Sequence, residues 1–190
     1  MKQSRGTLFL MTYYGAKELA DSFRTVRKNT ITIANEIGEE HYGFRAAPET
    51  RTVGQTLVHI AHVCELQERL HGVERRTALE GFDFFGFIGP LIADEQTPRT
   101  RAQVIDLLRA GGDRFSAWLE SLSDEFLGER VAMLPGTTPA SKSRFEMILG
   151  VKEHEMHHRG QLMLVERMIG IVPHLTREFQ ARMAAAAGKQ

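Results

Sequence analysis

Apolar residues recur at intervals of three and four along four long segments of this chain, and this periodicity constrains the fold more than any other feature. Such intervals match the 3.6-residue turn of an α-helix, so each segment carries one apolar face that must be covered. No stretch shows convincing strand alternation, so we expect an all-α protein, a helical bundle. The segments cover about residues 12–37, 52–75, 100–122 and 143–170, and a shorter helix is expected over 176–187.

Three of these helices begin at a capping box, in which a hydroxyl and a Gln or Glu side chain each accept a hydrogen bond from the other residue's backbone amide. The boxes are Thr52–Gln55, Thr100–Gln103 and Ser143–Glu146. The fourth helix is expected to end near Gly170, because Pro173 follows shortly after it. Gly111 and Gly112 lie inside the third helix, where each costs about 1 kcal/mol relative to alanine. This pair predicts either a kink or a close helix contact.

The connections between the helices differ in length and character. Residues 39–51 form a polar loop, residues 76–99 a long link between helices 2 and 3, and residues 124–142 another loop. The long link carries a Phe-rich run over residues 82–88, which we interpret as core padding more readily than as a substrate lid. A chain of 190 residues favours a single domain, 1–190, with its core over about residues 12–170.

Composition excludes several classes of function. Lys plus Arg and Asp plus Glu both number 24, and a chain with no net charge is a poor candidate for binding nucleic acid. The single cysteine, Cys64, rules out an intramolecular disulfide and a multi-cysteine zinc site, and is most simply a small buried residue. The apolar run at residues 7–11 is too short for a signal peptide, and no segment approaches a membrane span. We therefore expect a cytoplasmic protein.

Three of the eight histidines lie within the apolar stripes, where an imidazole is costly unless it has a partner. His154 and His158 are four residues apart, about 6 Å along the helix axis and about 40° around it. Two imidazoles in this relation can bind one metal ion. A third ligand would have to come from another helix, and His59 in the second helix is the best-placed candidate.

Three neutral imidazoles suit zinc, nickel, copper or iron(II) better than magnesium or calcium. Three protein ligands also leave a coordination position for water or substrate, as in catalytic zinc sites. The alternative is a structural dimer in which the histidines form only a buried polar cluster, because histidine pairs at this spacing often have no function. Their neighbours Glu153, Glu155 and His157 are interpreted as solvated residues of the helix face rather than as catalysts.

The sequence around these histidines resembles the DinB-like metal-binding proteins. Residues 153–162 resemble the last-helix signature H-x-x-H-H-R-G-Q, residues 53–62 the ligand segment of the second helix, and residues 42–45 its usual lead-in. The likeness covers roughly residues 14–170. Each motif alone is weak, but together they are fairly specific.

The resemblance implies a four-helix bundle with up-down-down-up order, commonly a homodimer, and a three-histidine metal site with an open coordination position. By position, its ligands are His59, His154 and His158. His157 matches the non-ligand histidine of the signature, and Arg159 and Gln161 match its polar support residues.

The resemblance also implies a metal-dependent enzyme that acts on a small molecule, such as a transferase that uses a low-molecular-weight thiol like bacillithiol or mycothiol. A metal-dependent hydrolase and a non-catalytic stress protein that binds a metal or a small molecule are the alternatives. Glu155 would be a candidate base only if it faced the metal, and its position one residue after His154 turns it about 100° away. The side chains expected near the substrate are His41, Tyr42 and Arg45 of the loop, and Phe84, Phe85 and Phe87 of the link.

Overall fold

Four long helices, the first, second, fourth and sixth in the chain, carry the core of the structure, which is a computed structural model that describes residues 14–188. A 3₁₀ turn at Glu39–His41 follows the first helix, and a π-helical segment at Glu68–Val73 continues the second. Within the described residues, no helix is long and apolar enough to cross a membrane. The helices are α1 Ala16–Glu36, α2 Val53–Gln67, α3 Phe84–Asp94, α4 Arg101–Glu120, α5 Asp124–Gly128, α6 Arg144–Met168 and α7 His174–Ala187.

The structure confirms the four predicted bundle helices and all three capping boxes. The hydroxyls of Thr52, Thr100 and Ser143 accept hydrogen bonds from backbone amides at distances of 3.1, 3.3 and 3.1 Å. The first helix is described from Ala16 onward, and the predicted residues 12 and 13 lie outside the described residues. The shorter last helix, α7, begins two residues before its predicted start.

The bundle core consists of two apolar clusters, and α1 and α2 each pack against both α4 and α6. One cluster joins the C-terminal halves of α1 and α6 to the N-terminal parts of α2 and α4. The other cluster joins the opposite ends of the same helices. This distribution is the one that an up-down-down-up order requires. Central members are Ile33, Leu57, Leu108 and Leu162 in the first cluster, and Phe23, Cys64, Phe115 and Ile148 in the second.

Two of the predicted connections contain structure that the sequence did not indicate. The long link contains α3, which includes Pro90. Asp83 caps the start of this helix by accepting a hydrogen bond from the amide of Gly86 at 2.9 Å. The connection at residues 124–142 contains α5 and an antiparallel hairpin of β1 Arg130–Ala132 and β2 Ser141–Ser143. The expectation of no strand was wrong there, because three-residue strands are too short to show alternation.

The glycine pair of α4 lies against a buried arginine of α1. Arg27 is 3% exposed, and its Nη1 donates to the carbonyl of Leu108 at 2.7 Å. A Cβ atom on Gly112 would lie 2.8 Å from Arg27 Cγ, and one on Gly111 would lie 3.2 Å from the carbonyl oxygen of Ala61. Of the two alternatives predicted from the sequence, the structure therefore shows the close helix contact.

This contact predicts that Gly112→Ala destabilises the protein, although alanine normally favours a helix over glycine. The added methyl group would overlap Arg27, whose guanidinium cannot move without losing its hydrogen bonds, so we expect a loss of about 1 to 3 kcal/mol. The matched control is Gly150→Ala in α6, where a Cβ would meet nothing within 4 Å. It should gain about 0.5 to 1 kcal/mol. Urea denaturation measures both, and equal gains would contradict the close contact.

Candidate metal centre

Three imidazoles converge between α2 and α6. The Nε2 atom of His154 lies 2.8 Å from Nε2 of His59 and 2.9 Å from Nε2 of His158. One nitrogen from each ring lies within 4.8 Å of the other two, and this is the one group of at least three potential metal-binding side chains found within residues 14–188. The structure thus brings together all three histidines that the sequence singled out.

Hydrogen bonds on the far side of two rings determine which nitrogen carries the proton. Nδ1 of His59 lies 2.8 Å from a carboxylate oxygen of Glu95, and Nδ1 of His158 lies 2.8 Å from the amide oxygen of Gln161. Both oxygens accept, so in each neutral ring Nδ1 carries the hydrogen and Nε2 carries a lone pair. Two lone pairs therefore point at Nε2 of His154, which has only one hydrogen or one lone pair to offer.

Such an arrangement is poor as a hydrogen-bonded cluster and good as a metal site. A single N–H of His154 would have to be shared between two acceptors, and without that hydrogen three lone pairs would face one another. A divalent cation bound by the three Nε2 atoms would satisfy all of them, and the Nδ1 bonds already hold two rings in the required tautomer. The residues present therefore fit a metal ion.

Partial burial favours the uncharged form of the three rings, although His154 remains partly exposed to solvent. Burial lowers the pKa of His154 to about 4, with the neighbouring imidazoles adding to the effect. It also lowers the pKa of His59 and of His158, and the positive charge of Arg51 lowers that of His59 further. All three rings are therefore neutral at pH 7, the state in which imidazole binds a metal.

Glu95 is part of the site, although nothing in the sequence indicates this. It lies immediately after α3, is 5% exposed, and bonds both to His59 and to Arg51, whose Nε lies 2.6 Å from the carboxylate. It is 36 positions from His59 in sequence, and no motif marks it. Only the folding of the link into α3 brings this carboxylate to the cluster.

A second histidine–carboxylate contact holds the end of α3 on α2. His62 lies 2.8 Å from Asp94 and 2.7 Å from Glu65. The bond to Glu65 is the main reason that the pKa of His62 is raised, and the bond to Asp94 adds to it. His62 therefore behaves oppositely to His59, one turn before it on the same helix.

Glu155 is not the solvated residue that the sequence predicted. It is fully buried and accepts hydrogen bonds from Nε of Arg27 at 3.0 and 3.1 Å. The carboxylate therefore lies in the bundle interior, and this ion pair removes it as a candidate base. The prediction was wrong because the helix face that carries Glu155 packs against the buried cation of α1.

The other residues of the last-helix signature differ in whether they contact the three imidazoles. Gln161 supports the site as the resemblance implied, since its oxygen faces His158 and its amide nitrogen lies 3.1 Å from Nε2 of His157. His157 is exposed and stays outside the cluster. Arg159 is half-buried, and among the described residues it has no hydrogen bond to the three imidazoles.

A cavity of about 580 Å³ opens beside the cluster, with His158 in its lining. Of the three loop side chains expected near the substrate, Arg45 lies in this lining. Tyr42 does not, because its buried hydroxyl donates to the carbonyl of Ala34 at 2.8 Å, and His41 is also outside the lining.

The interpretation of the Phe-rich run as core padding was wrong, because no residue of α3 is buried. The run is also absent from the lining of this cavity, so the structure does not place Phe84, Phe85 or Phe87 beside it, as the expectation of substrate contact required. Phe84 and Phe85 are exposed, and α3 reaches the cavity instead through Ile92 near its C-terminal end.

The structure confirms the interpretation of Cys64 as a small buried residue. It is fully buried in the second apolar cluster, and its thiol lies 3.5 Å from the carbonyl of Ala61. Burial raises the pKa of the thiol to about 12, so it is protonated and unreactive at neutral pH.

The fold and the cluster define a four-helix-bundle protein with three histidine nitrogens converging between two of its helices. Residues 22–162 match the family described as the DinB superfamily. The match covers well over half of the chain, which therefore belongs to this superfamily. A search of curated proteins finds no match.

Solved structures with the same fold include two from Bacillus subtilis. The DinB-like protein YjoA is 20% identical, with a TM-score of 0.59, and the match covers 80% of this chain and 92% of YjoA. YfiT, described as "a probable metal-dependent hydrolase with an unusual four-helix bundle topology", is 16% identical, with a TM-score of 0.64 and coverage of 90% and 93%. An uncharacterised protein from Clostridium difficile is also 16% identical, with a TM-score of 0.65 and coverage of 83% and 99%. At these identities the structures establish the fold alone.

The hydrogen-bond pattern predicts the protonation of individual histidines in the metal-free protein. At pH 7, His59 and His158 should be neutral with the hydrogen on Nδ1, whereas His62 should keep its proton to a higher pH because two carboxylates face it. Long-range ¹H–¹⁵N NMR spectra recorded over a pH titration distinguish these states. Nε2–H tautomers at His59 and His158, or a His62 that loses its proton before they do, would contradict the described geometry.

Proposed function

We propose that His59, His154 and His158 bind one divalent first-row metal ion and that the protein is a metal-dependent enzyme acting on a small molecule in the adjacent cavity. The observation that carries this proposal is the convergence of the three Nε2 atoms, two of which are fixed as lone pairs. A cluster with only structural hydrogen bonds would not leave these atoms competing for a single hydrogen. Zinc, nickel, copper and iron(II) all suit three imidazoles.

The chain's own residues would bind and orient the reactants. Glu95 and Gln161 hold the rings of His59 and His158 so that their lone pairs face inward. When bound, a divalent cation would lower the pKa of a coordinated thiol or water, so that it becomes nucleophilic at neutral pH. The cavity beside His158 would hold the second reactant against partly apolar walls.

Thiol transfer is the reaction that we favour, with a low-molecular-weight thiol as co-substrate. Glu95 and Glu155 are not free to take a proton from water, since Glu95 bonds His59 and Arg51 while Glu155 bonds Arg27. A thiol has an ordinary pKa near 8.5 and needs less assistance than water to ionise. Hydrolysis is the second candidate, because YfiT, which shares the fold, is described as "a probable metal-dependent hydrolase".

Metal content tests the first part of the proposal. The purified protein, incubated with zinc and freed of excess ion, should contain about one zinc per chain by elemental analysis. His59→Ala, His154→Ala and His158→Ala should each lose it. The matched control is His157→Ala, which removes an exposed neighbouring imidazole outside the cluster and should keep the ion. Metal retained in all of the variants, or none in the wild type, would contradict the proposal.

Glu95 should strengthen metal binding without contacting the metal. Glu95→Gln removes the charge that raises the basicity of His59, so we expect the zinc affinity to fall 10- to 100-fold, as is usual for partners of ligand histidines. Glu65→Gln changes an equivalent carboxylate–histidine contact at His62, which is outside the cluster, and should leave the affinity unchanged. Competition against a chelating dye measures both affinities. Equal affinities in the two variants would refute a supporting role for Glu95.

An activity screen distinguishes the two candidate reactions. The zinc-, nickel- and iron-loaded proteins would be assayed with bacillithiol, mycothiol or glutathione and an electrophile, and separately with ester and amide substrates. We expect turnover that needs a thiol and is abolished by a chelator. Chelator-sensitive hydrolysis without a thiol would favour the second candidate. No chelator-sensitive turnover in a protein that binds metal would favour a non-catalytic binding protein.

A further inference from the structure

The cavity beside the cluster combines charged side chains with an apolar wall. The loop that precedes α2 contributes two arginines, Arg45 and Arg51. Helix α6 contributes Leu164 and Val165 in addition to His158. Sites for small molecules are typically apolar surfaces with a few polar groups that fix the orientation of the ligand. The lining can therefore indicate the class of molecule that the site takes.

The two arginines of the lining differ in what they bind. Arg51 is engaged by Glu95, with N–O distances of 2.6 and 3.2 Å. Arg45 donates to the backbone carbonyl of Thr50 and, within the described part of the chain, has no ion pair. Its guanidinium has five N–H groups in a planar fork that suits a carboxylate, so most of its donors are available to a ligand.

The apolar wall includes two exposed aliphatic side chains. Ile92 at the end of α3 is 46% exposed, and Leu164 of α6 is 59% exposed. Both line the cavity. A hydrocarbon segment bound there would remove their surface from water, which is favourable in proportion to the apolar area covered.

We propose that the substrate of this site is a monoanionic amphiphile with a carboxylate bound by Arg45, a hydrocarbon segment against Ile92 and Leu164, and its reacting group near His158. This inference rests on the proposed function. A single negative charge fits better than a phosphate dianion, because Glu49 also lines the cavity and Arg51 is already neutralised by Glu95.

Binding of simple carboxylates to the chelator-treated protein tests the proposal, because without metal the carboxylate cannot act as a metal ligand. By calorimetry or ligand-observed NMR, octanoate should bind about tenfold more tightly than octanamide, which has the same chain without the charge. Arg45→Gln should abolish this preference, while Glu49→Gln should increase it. The matched control Arg182→Gln removes an exposed arginine of α7 outside the cavity and should change nothing.

Chain length tests the apolar part of the site. From butanoate to hexanoate to octanoate, the affinity should rise by up to about fourfold per methylene, the value for complete burial. Ile92→Ser should flatten this dependence, and since Ile92 is exposed the variant should remain folded. No dependence on chain length in the wild type would overturn this part of the proposal.

Two outcomes would overturn the anion site, and each leaves the proposed metal function to its own test. Equal binding of octanoate and octanamide would show that Arg45 recognises no charge. Octanoate binding that needs metal and is unaffected by Arg45→Gln would show that the carboxylate binds the ion instead. Conversely, charge-dependent binding in a protein that takes up no zinc would support the anion site and refute the metal site.

Discussion

The buried guanidinium of Arg27 links all four bundle helices through hydrogen bonds. From α1, it donates to Glu155 of α6, to the carbonyl of Leu108 in α4 and to the carbonyl of Ile60 in α2. Because each polar contact is made inside the core, removing one partner of such a pair costs about 3 to 5 kcal/mol. Glycines in α4 leave the room that the side chain needs. The four helices thus meet through hydrogen bonds to a buried charge as well as through apolar packing.

The same interaction involves residues next to two of the imidazoles in sequence. Ile60 follows His59 in α2, and Glu155 follows His154 in α6, so Arg27 bonds the residue adjacent to one histidine on each side of the cluster. The two apolar clusters pack α2 against α6 on either side of these hydrogen bonds. The cluster is therefore supported from the core by Arg27, while Glu95 at the end of α3 orients the ring of His59 from outside.

The sequence predicted the parts that depend on local pattern. Helical periodicity and the capping boxes located the bundle helices, and spacing together with the family resemblance identified the three histidines. The sequence could not place Glu95, because that depends on α3, whose glycines and Pro90 obscure its helical character. It also misjudged Glu155, since a charged residue is expected to be solvated unless a buried partner is known. Both errors concern contacts between residues distant in the chain, which no local pattern specifies.

A metal site and a simple polar cluster are the two interpretations of the three histidines, and we propose the metal site. X-ray diffraction from crystals of the zinc-loaded protein, with anomalous data collected on both sides of the zinc absorption edge, tests it most directly. If the three histidines bind the ion, the map will show one strong anomalous peak bonded to Nε2 of His59, His154 and His158, at about 2.0 to 2.1 Å from each. A peak bonded to other residues, or no peak between α2 and α6 in a crystal grown with zinc, would contradict this proposal.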